Sequence, residues 1–136
     1  MTTQTDISRL MTGMGKQARK AAQVLALAST EQKNAALEAM AANIRRSVSG
    51  ILAANETDLN AAKARGTSGA FLDRLRLDEA RLEAVAASLE DIAALADPVG
   101  DVMASWTRPN GLQISRIRTP LGVIGIIYES RPNVTS

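Results

Sequence analysis

The spacing of apolar residues predicts helices over the first two-thirds of the chain. Apolar side chains recur three and four residues apart, as they do on one face of a helix. Ser29 with Gln32 fits a capping box, Asp78 fits an N-cap, Gly50 predicts a break and Gly66 a left-handed helix end. One face of the first helix carries Ile7, Leu10, Met11, Met14, Ala18, Ala21 and Leu25, and a later helix carries a stripe of Leu82, Val85, Leu89, Ile92 and Ala96. The second helix is expected to bury Leu37, Met40, Ile44 and Val48, and Phe71, Leu72 and Leu75 to anchor a short turn against the helices.

After Asp97-Pro98 the apolar pattern changes to a period of two, which predicts strands. Residues 102–107 alternate, and Asn110-Gly111 predicts a type I′ hairpin turn, because both central residues of that turn need positive φ. The return strand, 112–119, slips in its alternation, which indicates a β-bulge or a strong twist. A last strand, Leu121–Tyr128, is apolar on both faces, as parallel strands covered by helices are.

Polar residues follow Leu121–Tyr128 directly, and ligands of open α/β sheets bind just beyond the carboxyl ends of strands. Arg131 can pair with a phosphate or a carboxylate, and Ser130 or Asn133 can donate a hydrogen bond to a ligand or a developing oxyanion. A plain loop, in which Arg131-Pro132-Asn133 only turns the chain, explains the same residues. The local pattern does not decide between the two interpretations.

Three other features have a structural interpretation beside a functional one. Gly122 and Gly125 lie inside an apolar run, which favours close backbone packing over a phosphate loop. The polar group Asn55–Asp58 is typical of a helix start rather than of a metal site. Trp106 and Arg108 near the predicted turn fit a surface for a second subunit, and packing of Trp106 on the helices fits equally well.

Composition narrows the chemistry. The chain has no cysteine and no histidine, which excludes disulfides, Cys/His zinc sites and Ser-His or Cys-His nucleophile pairs. With a net charge of +2 and three aromatic residues, it lacks the basic face and the stacking aromatics of a nucleic-acid binder. The longest apolar run is far shorter than the ~20 residues of a membrane span. A basic first helix resembles a transit peptide, but an amphipathic helix explains it better.

The residues Pro120–Thr135, PLGVIGIIYESRPNVT, resemble the signature of the γ-glutamyl phosphate reductase family, also called glutamate-5-semialdehyde dehydrogenase. This family is a branch of the aldehyde dehydrogenase superfamily. The similarity continues at Asn55–Leu59, Asp73–Leu75 and Asp97–Gly100. The resemblance therefore covers essentially the whole chain and implies an N-terminal fragment of a longer protein.

The resemblance implies an α/β fold with three parts. Residues 1–100 would be the helical N-terminal part of a cofactor domain, and residues 101–119 a β-hairpin that forms an oligomerisation flap. Residues 120–136 would be the first strand and the active-site loop of a Rossmann-like domain, cut short.

For the complete protein, the resemblance implies NADPH-dependent reduction of γ-glutamyl phosphate to glutamate 5-semialdehyde and phosphate, in cytoplasmic proline synthesis. It implies a homo-oligomer that forms through the hairpin. Tyr128, Glu129 and Ser130 would contact the cofactor, and Arg131 and Asn133 the substrate. The family's catalytic cysteine has no counterpart here, so we expect no catalytic residue, no metal site and no activity in this chain alone. The alternative is a non-catalytic helical module that docks its hairpin and last strand on a partner's sheet.

Overall fold

The computed structural model describes residues 4–129 and 131–135. This part of the chain forms the helices α1 (Gln4–Leu25), α2 (Thr30–Arg46), α3 (Val48–Ala64), α4 (Gly69–Leu75) and α5 (Glu79–Ala93), the strands β1 (Val102–Thr107) and β2 (Gln113–Ile117), and a 3-10 turn, Pro132–Thr135. The combination of helices and a hairpin agrees with the predicted α/β class. The elements divide into two compact units: the chain up to Thr30 with Ala96–Gly125, and Glu31–Leu95 with the chain from Ile126 onward.

The core of the second unit lies where α2 packs on α5. Ala41, Ala86 and Leu89 are buried, and Leu37 and Ile44 pack against them. Alanine buries little apolar area, so this contact is thin.

The apolar stripe predicted for α5 is buried only in part. Leu82 and Leu89 lie in the interior, whereas Ile92 is half exposed. The helix ends at Ala93, so Ala96 lies beyond it and takes no part in the stripe.

The break between α2 and α3 lies at Ser47, and the break predicted at Gly50 is wrong. Ser47 has φ −103° and ψ 8°, and its N–H donates to the carbonyl oxygens of Asn43 at 3.0 Å and Ile44 at 3.1 Å. α3 begins at the next residue and runs through Gly50 without interruption. A glycine weakens a helix interior by only about 1 kcal/mol relative to alanine, which the rest of the helix outweighs.

The predicted left-handed end of α3 at Gly66 is confirmed. Gly66 has φ +73°, and its N–H donates to the carbonyl oxygen of Lys63 at 2.9 Å. The N–H of Thr67 reaches back to the carbonyl oxygen of Ala62 at 3.1 Å. These two bonds form a Schellman motif, which satisfies carbonyl groups that the helix end leaves without partners.

The connection from α4 to α5 is fixed by polar contacts. Asn55 of α3 is 5% exposed; its Nδ2 donates to the carbonyl oxygen of Leu75, and the N–H of Leu77 donates to its Oδ1, both at 2.8 Å. The predicted N-cap is confirmed, because the N–H of Arg81 donates to Oδ1 of Asp78 at 2.7 Å. Asn55 therefore has a structural role in this segment.

The hairpin is present, but its turn lies one residue earlier than predicted. The N–H of Gly111 donates to the carbonyl oxygen of Arg108 at 2.9 Å, so the turn centres on Pro109-Asn110. Gly111 follows with φ +83°. The type I′ prediction is therefore wrong. The fixed φ of proline suits the first central position of an ordinary turn, and this preference outweighs the Asn-Gly signal.

The predicted β-bulge is confirmed, with its extra residue on the other strand. Val102 pairs with Ile117 and Ala104 with Arg116, so Met103 of β1 is the additional residue. Beyond it, one hairpin face carries a polar ladder: the hydroxyls of Ser105 and Ser115 lie 2.9 Å apart, and Thr107 Oγ1 donates to Gln113 Oε1 at 3.0 Å. The other face pairs Trp106 with Ile114.

The strand predicted over Leu121–Tyr128 is not present in the structure. The segment has no regular secondary structure and its side chains are exposed. A strand exists only when a neighbour accepts and donates its backbone hydrogen bonds, and no described strand lies beside this one. Gly122, at φ +87°, also departs from extended geometry.

The predicted first helix is present as α1, and its apolar face is exposed. Ile7, Leu10, Met11, Met14 and Leu25 are all at least half exposed. α2 begins at Thr30, directly after the predicted N-cap position. The periodicity of the sequence shows which face of the helix is apolar, but it does not show whether another element covers that face.

Candidate functional site

The predicted site residues lie in and just before the final turn. Tyr128 is 48% exposed and Glu129 is exposed. Ser130 lies outside the described residues. The N–H of Val134 donates to the carbonyl oxygen of Arg131 at 3.1 Å and closes the turn. Arg131-Pro132-Asn133 therefore does turn the chain, as the loop interpretation required.

The same turn forms one wall of a cleft of about 450 Å³ in the second unit. The structure thus brings Arg131 and Asn133 together at one cavity. Tyr128 and Glu129 are not among the described residues that line it. The opposite walls come from the α4–α5 region: Asp73, Arg74, Arg76, Leu77, Arg81, Ala84, Val85 and Ser88.

Arg81 holds the α4–α5 connection in place. Its Nη1 donates to the carbonyl oxygens of Asp73 and Arg76, both at 2.6 Å. Its Nη2 donates to Oδ1 of Asp73 at 3.2 Å. The guanidinium is therefore committed to the protein, and it fixes the backbone from which Arg74 and Arg76 project.

Two other polar side chains of the cleft also have partners within the chain. The guanidinium carbon of Arg74 lies 5.8 Å from the ring centre of Phe71, a cation–π contact. The hydroxyl of Ser88 donates to the carbonyl oxygen of Ala84 at 2.6 Å. The Ser88 oxygen can accept a hydrogen bond from a ligand, but its proton is already used.

An apolar cavity of about 410 Å³ adjoins the polar cleft. The two cavities share Leu77, Val85, Pro132 and Asn133. The rest of the apolar lining comes largely from α2, α3 and α5: Met40, Ile44, Ile51 and Leu82. Asn133 therefore lies where a polar and an apolar space meet.

Helix α5, which forms part of both cavities, is tied to α2 by a charged cluster. Nη2 of Arg45 lies 2.7 Å from Oε1 of Glu83 and 2.9 Å from Oε2 of Glu90. Hydrogen bonds from Arg45 lower the pKa of both carboxyl groups, and the two carboxylates in turn raise the pKa of Arg45. All three groups are well exposed, so solvent screens the cluster.

Sequence reasoning found Arg131 and Asn133 but missed the arginines that face them. In the sequence, Asp73–Leu75 contributes only to the family resemblance, and Asp78 is predicted only to cap a helix. Arg76 and Arg81 carry no motif. Their position depends on the Asn55 contact and on the turn between α4 and α5, which no local pattern reveals.

The described residues contain no group of three acidic side chains arranged to hold a metal ion. The polar group Asn55–Asp58 begins with a buried asparagine that bonds to backbone groups, as described above. Within the same part of the chain, no helix is long and apolar enough to cross a membrane.

Comparison with known proteins gives one consistent result. The chain is 59% identical, over all 136 residues, to a γ-glutamyl phosphate reductase of Paramagnetospirillum magneticum, of which it covers 32%. It is 59% identical over 126 residues to the Caulobacter vibrioides reductase, covering 93% of this chain and 30% of the relative. No family model matches the chain.

Solved structures of γ-glutamyl phosphate reductases are similar in fold to this chain. The Thermotoga maritima γ-glutamyl phosphate reductase superposes with a TM-score of 0.83 at 44% identity, over 88% of this chain and 29% of that one. The Saccharomyces cerevisiae enzyme gives a TM-score of 0.83 at 34% identity, over 88% and 31%. The chain spans about 30% of the length of these relatives. By sequence and by fold, the chain is similar to about a third of a γ-glutamyl phosphate reductase.

Proposed function

We propose that this chain forms the N-terminal part of an enzyme that reduces γ-glutamyl phosphate to glutamate 5-semialdehyde in cytoplasmic proline synthesis. The observation that carries the proposal is 59% identity over every residue of the chain to a protein named γ-glutamyl phosphate reductase. When bound by the complete protein, NADPH would supply a hydride to the acyl carbon, and phosphate would leave with the electron pair of the broken carbon–oxygen bond.

The contribution that we propose for this chain is substrate binding. Arg131 would pair with an anionic group of γ-glutamyl phosphate, since a guanidinium matches carboxylate and phosphate oxygens geometrically. The Asn133 side-chain amide would donate a hydrogen bond to the carbonyl oxygen as negative charge develops on it. Their place on one wall of one cleft supports a shared ligand. The chain supplies no cysteine or histidine that could act as the nucleophile.

The described residues do not form an NADPH site by themselves. Tyr128 and Glu129 are exposed, and no sheet is present beside Leu121–Tyr128 to support a dinucleotide. In the complete protein, Tyr128, Glu129 and Ser130 are our proposed cofactor contacts.

The hairpin is our proposed contact between subunits of a homo-oligomer. Val102, Met103, Trp106 and Ile117 all keep 41% or more of their surface exposed. Apolar residues of this size on a two-stranded ribbon favour burial against a further surface. The alternative function, a module that adds strands to a partner's sheet, draws support from the exposed Leu121–Tyr128 segment, which forms no strand in the described structure.

A chimera tests the proposed function. This chain replaces the matching part of the Paramagnetospirillum magneticum enzyme, and purified chimera is assayed for NADP⁺ reduction by glutamate 5-semialdehyde, with and without phosphate. We expect phosphate-dependent turnover. Asn133→Ala should lower kcat by about 100-fold, the typical cost of removing one oxyanion donor. The exposed Asn60→Ala on α3 is the control and should match the unmodified chimera.

A folded, monodisperse chimera without phosphate-dependent turnover would contradict the proposed function. If Asn133→Ala leaves turnover unchanged, the proposed enzymatic function stands, but the proposed role of the Asn133 amide is wrong.

A further inference from the structure

The cleft in the second unit concentrates positive charge on two sides. Its described lining includes four arginines, Arg74, Arg76, Arg81 and Arg131, and one carboxylate, Asp73. That carboxylate already accepts a hydrogen bond from Arg81. A cleft of about 450 Å³ falls in the range of small-molecule sites. Because its lining carries more positive than negative charge, the cleft favours an anionic ligand.

The four arginines are not equivalent. Arg81 is held by the carbonyl oxygens of Asp73 and Arg76, and Arg74 stacks over Phe71. Among the described residues, the guanidinium groups of Arg76 and Arg131 have no ion-pair or hydrogen-bond partner. These two therefore remain available for a ligand, one from each wall of the cleft.

We propose that Arg76 and Arg131 form a subsite for an oxyanion group of the substrate, with Arg81 as a positioning residue that fixes the backbone of Arg76. The proposal rests on the proposed function, and it adds a specific group on the α4–α5 wall. Arginine binds carboxylate and phosphate in the same bidentate manner, so the group is either a carboxylate or a phosphate.

The neighbouring apolar cavity restricts the rest of the ligand. Leu77, Val85, Pro132 and Asn133 line both spaces, so a molecule held by its anion in the cleft can extend methylene groups along apolar side chains. A small acid with a short aliphatic chain fits both spaces. A bulky aromatic anion would leave the apolar part poorly filled.

The test uses this chain and two probes. Backbone amide spectra are recorded by NMR during titration with inorganic phosphate and, separately, with L-glutamate, with sodium chloride titrated to the same ionic strength. We expect saturable shifts confined to residues 73–88 and 131–135 with at least one probe. Arg76→Gln and Arg131→Gln should each weaken that binding about tenfold, the usual loss for a charged hydrogen bond. Saturation by phosphate alone assigns the group as the phosphoryl group, and saturation by glutamate as a carboxylate.

Arg65→Gln, at the end of α3 and outside the cleft, is the matched control and should bind as the unmodified chain does. Linear shifts with both probes, or equal weakening by Arg65→Gln, would overturn the proposal. Each variant's far-ultraviolet circular dichroism and Tm show that it is folded. If the chimera is active but this chain binds neither anion, the subsite proposal is wrong and the proposed function stands. If the chimera is inactive but anion binding is observed, the proposed function is wrong and the subsite proposal stands.

Discussion

At the scale of the residue, Asn55 shows how one side chain fixes the geometry of the cleft. Both polar atoms of its side chain bond to backbone groups, one in the last residue of α4 and one two residues beyond it, and the side chain is almost fully buried. Its neighbours in the sequence indicated only a helix start. The local sequence shows only which residues favour a helix. It does not predict the role of Asn55, because the hydrogen-bond partners of its side chain lie 20 or more residues away.

We predict that Asn55→Ala destabilises the chain by about 2 kcal/mol, because it leaves a partly buried N–H and a partly buried carbonyl without their partner. Urea unfolding followed by circular dichroism measures the loss. Asn60→Ala, on the exposed side of the same helix, serves as the control and should change the free energy of unfolding by less than about 0.5 kcal/mol. Equal effects of the two variants would refute the role of Asn55.

Gly66 and Gly50 test the backbone argument on one helix. Gly66 has φ +73°, where a Cβ is strained, so we expect Gly66→Ala to destabilise by about 1 kcal/mol. Gly50 has open space where a Cβ would lie, and Gly50→Ala should stabilise by about 0.5–1 kcal/mol. The difference in Tm between the two variants is the measurement. A destabilising Gly50→Ala would show that α3 does break there.

At the scale of the element, the contact of α2 with α5 combines a thin alanine-rich core with the Arg45 cluster. The cluster lowers the pKa of Glu83 and Glu90, so the stability it adds is fully present above the carboxyl groups' unfolded pKa. That stability is lost as pH falls through the lower folded-state values. The Arg45 cluster therefore stabilises the contact at neutral pH and not in acid, whereas the apolar packing contributes at both.

We predict that Arg45→Gln has a lower Tm than the unmodified chain at pH 7 and nearly the same Tm at pH 3. Thermal unfolding across that range measures the difference, and added salt should reduce it at pH 7, because the cluster is exposed. Arg46→Gln, the neighbouring residue outside the cluster, is the control. A difference between Arg45→Gln and the unmodified chain that does not decrease in acid would contradict the assignment.

The elements also show where sequence reasoning succeeds. The C-terminal end of α3 at Gly66, the start of α5 at Asp78 and the presence of a hairpin all follow from local chemistry, and all are confirmed. The turn type failed because Pro109 and Asn110-Gly111 compete, and the fixed φ of proline decided the outcome. Local signals were sufficient at these three positions, whereas the outcome of competing adjacent signals depends on the folded structure.

At the scale of the whole molecule, several apolar surfaces remain uncovered. The apolar face of α1, the hairpin and Leu121–Tyr128 are exposed in the described residues. The family resemblance predicts the relatives that the chain matches, but it does not predict that Arg76 and Arg131 share a cleft, because that depends on how the α4–α5 connection folds.

We predict that this chain alone binds NADPH too weakly to raise its own Tm, since the described residues offer no supported dinucleotide site. A ligand at 100 times its Kd stabilises by about 2.7 kcal/mol, which a thermal melt detects readily. The Paramagnetospirillum magneticum enzyme, melted with and without NADPH, is the positive control. A rise of several degrees for this chain would contradict the prediction.

The central claim is that this chain can serve as the N-terminal part of a γ-glutamyl phosphate reductase. The most direct measurement is growth, without added proline, of a bacterial strain that lacks its own reductase and expresses the chimera described above. We predict growth with the chimera and none with its Asn133→Ala variant. A soluble chimera, present at the abundance of the intact relative but unable to support growth, would contradict the claim.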